Sequence, residues 1–360
     1  MTCKERVRAV LNRQPVDRFP VDLWHTPEVA DMLRRYFGVA DDFAMWKSLG
    51  LDKIVWDFIE YRADEGESAG AQVGAGAEDK VAVRTTWGAP LRAIQAGAAH
   101  YDEVAEPPMR SFEEIIQVNE YPFWPDPDRF DYKGAAALAQ QAAEDFCVIG
   151  PWVSFFEIYC QLRGLEQAMM DLAIRPDFVD AVLDRIEDIQ TRMLHRFFKQ
   201  AQTWIDLIFI SDDIGGQNGL MLSPASWRRH LKPRLKRWCD LAHDYDVRAF
   251  YHSDGGFAPV LDELLRCGVD VLNPIQHRCP GMEMEALKRE YGDRVVFHGG
   301  VDNQRVLPFG TPEEVRAETA WCMQTLGAGG KGYICCSCHN VQAGTPVENI
   351  LAMVQTVQNG

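Results

Sequence analysis

Val247-Arg248-Ala249-Phe250-Tyr251-His252 is a short apolar run, stopped by Ser253-Asp254-Gly255-Gly256 and followed by a helical period through Val260–Leu265. A run of this length bounded by turn residues reads as a buried strand. The same unit returns three times. Val269–Ile275 precedes a helix at Met284–Tyr291, Arg294–Phe297 precedes one at Thr311–Leu326, and Gly332–Cys336 precedes one at Thr345–Val357. Thr311-Pro312-Glu313-Glu314 and Thr345-Pro346-Val347-Glu348 each offer an N-cap threonine, a proline at N1 and a glutamate at N3, the pattern of a capping box. Gly268, Gly292 and Gly330 stand where helices should stop. Strands alternating with amphipathic helices predict a parallel sheet with right-handed crossovers.

Toward the N-terminus the same reading finds strands at Phe19–Trp24, Ile54–Phe58, Cys147–Trp152 and Asp206–Ser211. Four and four predict an α/β fold of the (β/α)8 TIM-barrel type, one domain over residues 1–360. No Gly-x-Gly-x-x-Gly turn follows the first strand, which argues against an open dinucleotide-binding sheet. Residues 62–130 break the alternation. Gly66–Gly76 is rich in Gly and Ala, Val81–Trp87 reads as a strand, and Pro107-Pro108 and Tyr121-Pro122-Phe123-Trp124-Pro125 follow. This stretch is expected to be an insertion between the second and third strands, a hairpin and long loop serving as a lid, a surface decoration or a dimer contact.

Of the 360 residues, 47% are hydrophobic and 25% charged, with a net charge of −16. That acidity opposes nucleic-acid or anionic-membrane partners. No apolar run approaches the ~18 residues of a membrane span. Met1-Thr2-Cys3-Lys4-Glu5-Arg6 leads into a charged helix rather than a secretory apolar region, and the ten cysteines form no disulfide framework. A cytoplasmic location is expected.

Barrel enzymes carry their chemistry just past the strands. Those positions here are Asp22, Trp24 and His25; Asp57; Phe156 and Glu157; Asp212 and Asp213; His252 and Asp254; Asn273 and Gln276; His298 and Asp302; Cys338, His339 and Asn340. His252 and Asp254, two apart, point the same way in extended backbone, to share a metal or form an oriented acid/base pair, unless Asp254 merely caps the next helix. Cys338 and His339 are zinc-type ligands, although no Cys-x-x-Cys pair supplies the rest of a site. Asp212 and Asp213 point to opposite faces, one toward the cavity and the other free to cap a turn. Glu157, flanked by aromatics, is open to a raised pKa or metal ligation, or is a first-turn glutamate favoured by the helix dipole. His252, Asp254, Glu157 and Asp213 are therefore candidates for catalysis. Trp24, His25, Asp212, Phe156, Asn273, Gln276 and His298 are candidates for substrate binding, and His252, Cys338, His339 and Glu157 for metal. His100, His195, His230 and His243 fall on helices or in the insertion and read as packing or surface residues.

Four stretches carry a family resemblance: Lys4-Glu5-Arg6-Val7 through Asp17-Arg18-Phe19-Pro20-Val21; Ser211-Asp212-Asp213-Ile214-Gly215 with Ser223-Pro224; His252-Ser253-Asp254-Gly255 through Gly268–Pro274; and His298-Gly299-Gly300-Val301-Asp302 through Gly310–Val315. Cys338-His339-Asn340 and Thr345-Pro346 continue it. The sequence resembles the uroporphyrinogen decarboxylase superfamily, in its branch of cobalamin (corrinoid)-dependent methyltransferases. The resemblance implies a TIM barrel that moves a methyl group between a small compound and the cobalt of a corrinoid protein, as a possible homodimer. The decarboxylase holds its tetrapyrrole by arginines in an Arg-Gln-Ala-Gly-Arg stretch after the first strand. Here Asp22-Leu23-Trp24-His25-Thr26-Pro27 stands there, without them. Thiol methyltransferases of the branch bind zinc through His-x-Cys and a later Cys, whereas this chain reads His252-Ser253-Asp254, with His339 or, one residue away, Cys338 at the later position. An oxygen ligand suits a harder site than thiolate does. The expected activity is therefore demethylation of a methoxy- or methylamine-type compound, whose leaving group needs a proton or a Lewis acid. The alternatives are a decarboxylase, a zinc-dependent thiol methyltransferase and a non-enzymatic binding protein.

Overall fold

The structure, a computed structural model, describes residues 1–62, 83–96 and 99–360. Its centre is a curled sheet of seven parallel strands in sequential order: β1 Ile54–Trp56, β2 Cys147–Val153, β3 Leu207–Ser211, β4 Arg248–His252, β5 Val271–Asn273, β6 Val296–His298 and β7 Tyr333–Ile334. All six neighbouring pairs are parallel, with Ser211 beside His252 and His252 beside Asn273. Helices fill the crossovers, among them Pro176–Ala201, Lys232–Asp244, Ala258–Leu265, Met284–Tyr291, Pro312–Leu326 and Val347–Asn359.

The period-two alternation of the strands splits the apolar residues into two layers. Ile54, Ile149, Leu207, Phe209, Phe250, Val271, Val296 and Ile334 belong to one inner cluster, joined by Trp24 and Cys336. Val55, Val148, Ile208, Ile210, Ala249, Tyr251, Leu272, Phe297 and Tyr333 belong to the outer cluster against the helices. Each strand gives at least one side chain to the inside, so the sheet wraps a packed core. Val7, Val10 and Leu11 of the first helix, Cys3–Leu11, complete that core. Arg8 pairs with Asp206 at the start of β3, and Lys4 bonds to the carbonyl of Ala143 before β2. The first helix therefore closes the end where strands begin, and the open end is where they finish. Each large apolar side chain buried in this way contributes roughly 1.5–3 kcal/mol.

Several expected boundaries shift. Phe19–Trp24 forms no extended strand; it has a single bridge, Val21 to Cys335. Its backbone nevertheless bonds toward both sheet edges: Asp22 N donates to Cys335 O (2.8 Å), Cys335 N to Pro20 O (2.9 Å) and Asp52 N to Val21 O (2.8 Å). Pro20 has no N–H to extend the ladder, and Pro274 ends β5 for the same reason. The Thr311 capping box is present, but Thr345 makes none: Pro346 takes the N-cap position and its side chain offers no bond.

Between β1 and β2, Val81–Trp87 is not a strand where it is described; Arg84 makes only one bridge, to Pro90. The antiparallel hairpin lies later, at Leu91–Ala96 and Ala99–Val104, followed by a short helix at Ile115–Asn119. Thr85–Gly88 is instead a turn, closed by Gly88 N to Thr85 O at 2.8 Å. Gly66–Gly76 and Val81 lie outside the described residues. Buried Arg163 pairs with Asp171 and donates to the carbonyls of Met109, Arg110 and Phe112, which ties this segment to helix Phe156–Arg163.

Candidate functional site at the open end of the sheet

The inner face changes character one residue beyond the apolar core. Continuing the alternation from Phe209, Phe250, Val271, Val296 and Ile334 gives Ser211, His252, Asn273, His298 and Cys336. These polar groups form a layer above the core, joined by Asp22. His252 Nδ1 lies 2.6 Å from Asn273 Oδ1, and Asn273 Nδ2 lies 2.7 Å from His298 Nδ1. His298 Nε2 lies 3.2 Å from Asp22 Oδ2, which also accepts from Trp24 Nε1 at 3.1 Å. Lys53 Nζ donates to Asp22 Oδ1 at 2.9 Å. All members of this chain are buried. Burial opposes the charge on Asp22, but Lys53 and His298 outweigh it and hold the carboxyl well below its ordinary range. Burial also lowers the His298 pKa, against the pull of Asp22.

Above this layer the site opens. His252 Nε2 is 3.7 Å from Asp213 Oδ1 and 3.9 Å from Asp254 Oδ1. The His252 and His339 rings are 5.8 Å apart. Donor atoms of His252, Asp254 and His339 all lie within 4.8 Å of one another, a set able to hold a metal ion. Asp254 Oδ1 is buried and has no hydrogen-bond partner. Burial raises the Asp254 pKa although both histidines oppose the shift, and burial lowers that of His339 although Asp254 opposes it. Asp213 Oδ1 accepts from Asp254 N at 2.7 Å and so fixes the loop after β4. That loop packs backbone to backbone on Gly215–Gly216; a Cβ on Gly255, at φ +76, would come within 2.5 Å of Gly216 N.

Asp212 and Asp213 separate as the alternation requires. Asp213 faces the cluster. Asp212 turns to the helix layer, where one carboxylate oxygen accepts from Ser154 Oγ (2.9 Å), Phe155 N (2.9 Å) and Phe156 N (2.5 Å) at the start of helix Phe156–Arg163. Glu157, one residue on, meets Ser211 Oγ at 2.5 Å. Burial, with Asp213 adding to it, pushes the Glu157 carboxyl well above its ordinary range.

The other expected positions divide clearly. Trp24 is inside, 5.6 Å from the His252 ring, and Phe209 is 5.7 Å from it. Trp56 meets Phe209 at 4.7 Å with the rings tilted by 49° and continues to Phe58, which is 51% exposed, so an aromatic series runs from His252 to solvent. His25 points elsewhere: its Nδ1 meets Thr26 O and its Nε2 meets Trp46 Nε1. Phe156 packs in the outer layer. Gln276 Oε1 holds Gly255 N at 2.9 Å. Cys338 Sγ is turned to the carbonyl of Ile275 at 3.4 Å, and burial raises its thiol pKa well above the ordinary value. Neither Cys338 nor Glu157 joins the three-residue set among the described residues. Sequence reasoning passed over Lys53 and Ser211. Lys53 leaves a signal, a charge heading the apolar run Ile54-Val55-Trp56.

The chain matches the family described as Uroporphyrinogen decarboxylase (URO-D) over residues 99–360. It belongs to the URO-D family. Among curated URO-D relatives, the uroporphyrinogen decarboxylase of Coxiella burnetii is 23% identical over 190 residues, which are 51% of this chain. The chain spans about half the length of the curated relatives it matches (48%). Among solved structures, a methyltransferase from Methanosarcina mazei superposes with a TM-score of 0.71 at 18% identity, covering 100% of this URO-D chain and 99% of that one. That likeness shows a shared fold. No helix among the described residues is long and apolar enough to cross a membrane.

Proposed function

We propose that this URO-D family protein is a corrinoid-dependent methyltransferase acting as a demethylase. It takes a methyl group from a small methoxy- or methylamine-type compound and passes it to a corrinoid carried on a partner protein. The observation that carries the reading is the convergence of His252, Asp254 and His339, with Asp254 Oδ1 buried and unpartnered. Nitrogen and oxygen donors in such a set suit a divalent cation of zinc type, and these three residues would hold it. When bound, it would supply Lewis acidity to the atom that loses the methyl group. The chain's own residues do the rest. Glu157, which accepts from Ser211 and whose carboxyl burial pushes toward the protonated form, is the proposed proton donor to the departing oxygen or nitrogen. Trp24, Phe209 and Trp56 line the approach to His252 with apolar surface suited to a methyl-bearing substrate. The exposed Phe58 edge extends that surface to solvent, where a partner's corrinoid could reach it.

The sheet fits the same reading as a closed (β/α)8 barrel, with Pro20–Trp24 as its remaining stave. The arginines that a polycarboxylate substrate would need have no counterpart in Asp22–Pro27, and the arginines before that stretch are engaged elsewhere. Arg6 pairs with Asp17 and Asp52, Arg8 with Asp206, Arg13 with the carbonyl of Val295, and Arg18 with Asp52. This favours methyl transfer over decarboxylation. Incubating the protein with a reduced corrinoid protein and a panel of aryl methyl ethers, methylamines and methoxy alcohols tests the proposal. Methylated corrinoid from one donor class supports it. Carbon dioxide release from a porphyrinogen, with no methyl transfer, would replace it by the decarboxylase reading.

A further inference from the structure

The bonds beneath His252 leave little freedom of orientation. Asn273 Nδ2 faces two groups of His298: the ring Nδ1 at 2.7 Å and the backbone carbonyl at 3.3 Å. A carbonyl oxygen only accepts, so the amide atom facing it must be the NH2. The Asn273 carbonyl oxygen then faces His252 Nδ1, 2.6 Å away, which must carry a hydrogen to bond it. The far end agrees. His298 Nδ1, accepting from Asn273, leaves its proton on Nε2, where the Asp22 carboxylate accepts it at 3.2 Å. Lys53 anchors that carboxylate from the other side at 2.9 Å. Each donor in the series meets an acceptor, and reversing the amide would set oxygen against oxygen at the His298 carbonyl.

We infer that Asn273, oriented by His298, Asp22 and Lys53, is a positioning residue that holds His252 with a proton on Nδ1 and thereby aims Nε2 at Asp213, Asp254 and His339. The relay is a buried orienting frame, and its product is an imidazole ready to ligate a cation or take a proton at a known atom. The inference rests on the proposed function for what His252 does. The tautomer itself is measured with no methyl donor present, so either idea can fail without the other.

Nitrogen-15 spectra of the full-length protein with labelled histidine decide it, with His252 signals assigned by their loss in His252→Gln. The expected result is a proton on His252 Nδ1. A proton on Nε2 with none on Nδ1 overturns the inference. Two variants separate orientation from packing. Asn273→Asp keeps an acceptor toward His252 but places a charge in a buried layer, whereas Asn273→Leu removes the acceptor at similar volume. Zinc titration should show affinity falling ~10–100-fold in N273L, the range typical of a lost orienting partner, and falling less in N273D. The Nδ1–H signal should persist in N273D and be lost or mixed in N273L. If Asn273 only fills space, the order reverses, because leucine packs better than a buried charge. If N273L does not fold, the wild-type and N273D spectra still decide, since a His252 Nδ1 without a proton in either contradicts the assignment.

Discussion

Two groups of ligand-type side chains sit a layer apart at the open end of the sheet. Asp22, His298 and Cys336 are fully buried, and His252, Asp254 and His339 lie above them nearer solvent. Both bring three donor atoms within 4.8 Å of one another. In the lower group the Asp22 oxygens are taken by Lys53, Trp24 and His298, so its charge is compensated inside the protein. In the upper group one Asp254 oxygen has no hydrogen-bond partner. A buried polar group costs free energy unless it is paired. The satisfied group suits a frame, and the unsatisfied one is the proposed place for an external cation or substrate to complete the set.

The comparison can be broken from either side. His252→Ala should lower methyl transfer ~10²–10⁴-fold, the contribution of a well-placed acid, base or ligand, while the circular-dichroism melt stays close to wild type. Unchanged turnover would take His252 out of the site. Lys53→Met removes the cation from a buried pair and should destabilise the fold by ~3–5 kcal/mol in urea titrations. A change below about 1 kcal/mol, the scale of a surface pair, would mean the lower group is not the frame described. Glu157→Gln keeps an acceptor for Ser211 but loses the proton. Turnover should fall ~10²-fold for donors with poor leaving groups and less for donors whose leaving group departs without a proton; equal loss across donors would exclude proton donation.

The smallest effect concerns Asp57, past the end of β1. Neither of its oxygens has a partner, and burial raises its pKa to about 7. Its folded pKa is above its unfolded value, so the folded chain holds a proton that the unfolded chain releases. Stability then falls as pH rises from the unfolded pKa of about 4 to the folded one. Asp57→Asn removes this part of the slope. Relative to wild type the variant should gain about 1 kcal/mol for each pH unit crossed in that window. Urea melts at matched ionic strength check this, and parallel curves would contradict it.

Much of the frame was legible in the sequence because it follows from period and punctuation. The repeated strand and helix units of the second half lie where their apolar runs put them, with the Thr311 cap and the Gly292 stop in place but the stops expected at Gly268 and Gly330 coming earlier, at Arg266 and Gly327. The opposite facing of Asp212 and Asp213 follows from strand alternation alone. Less legible was whatever depends on distant partners. Thr345 looks like a capping threonine, yet Pro346 takes the position. Cys338 and His339 are adjacent in sequence, but the thiol turns to the carbonyl of Ile275 while the imidazole reaches His252 and Asp254. Lys53 was missed because its role exists only once the strands bring Asp22 beside it. His25 read as a site residue by position, yet Trp46 and Thr26 hold its ring away.

The most direct test is the metal content of the purified protein after dialysis against zinc, measured by elemental analysis on wild type, Asp254→Ala, Cys336→Ser and Cys338→Ser. The upper group as the working site requires one zinc per chain, lost in D254A and retained in C336S and C338S. Loss in C338S would restore a thiolate site. Loss in C336S, or retention in D254A, would contradict the assignment of frame and site made here.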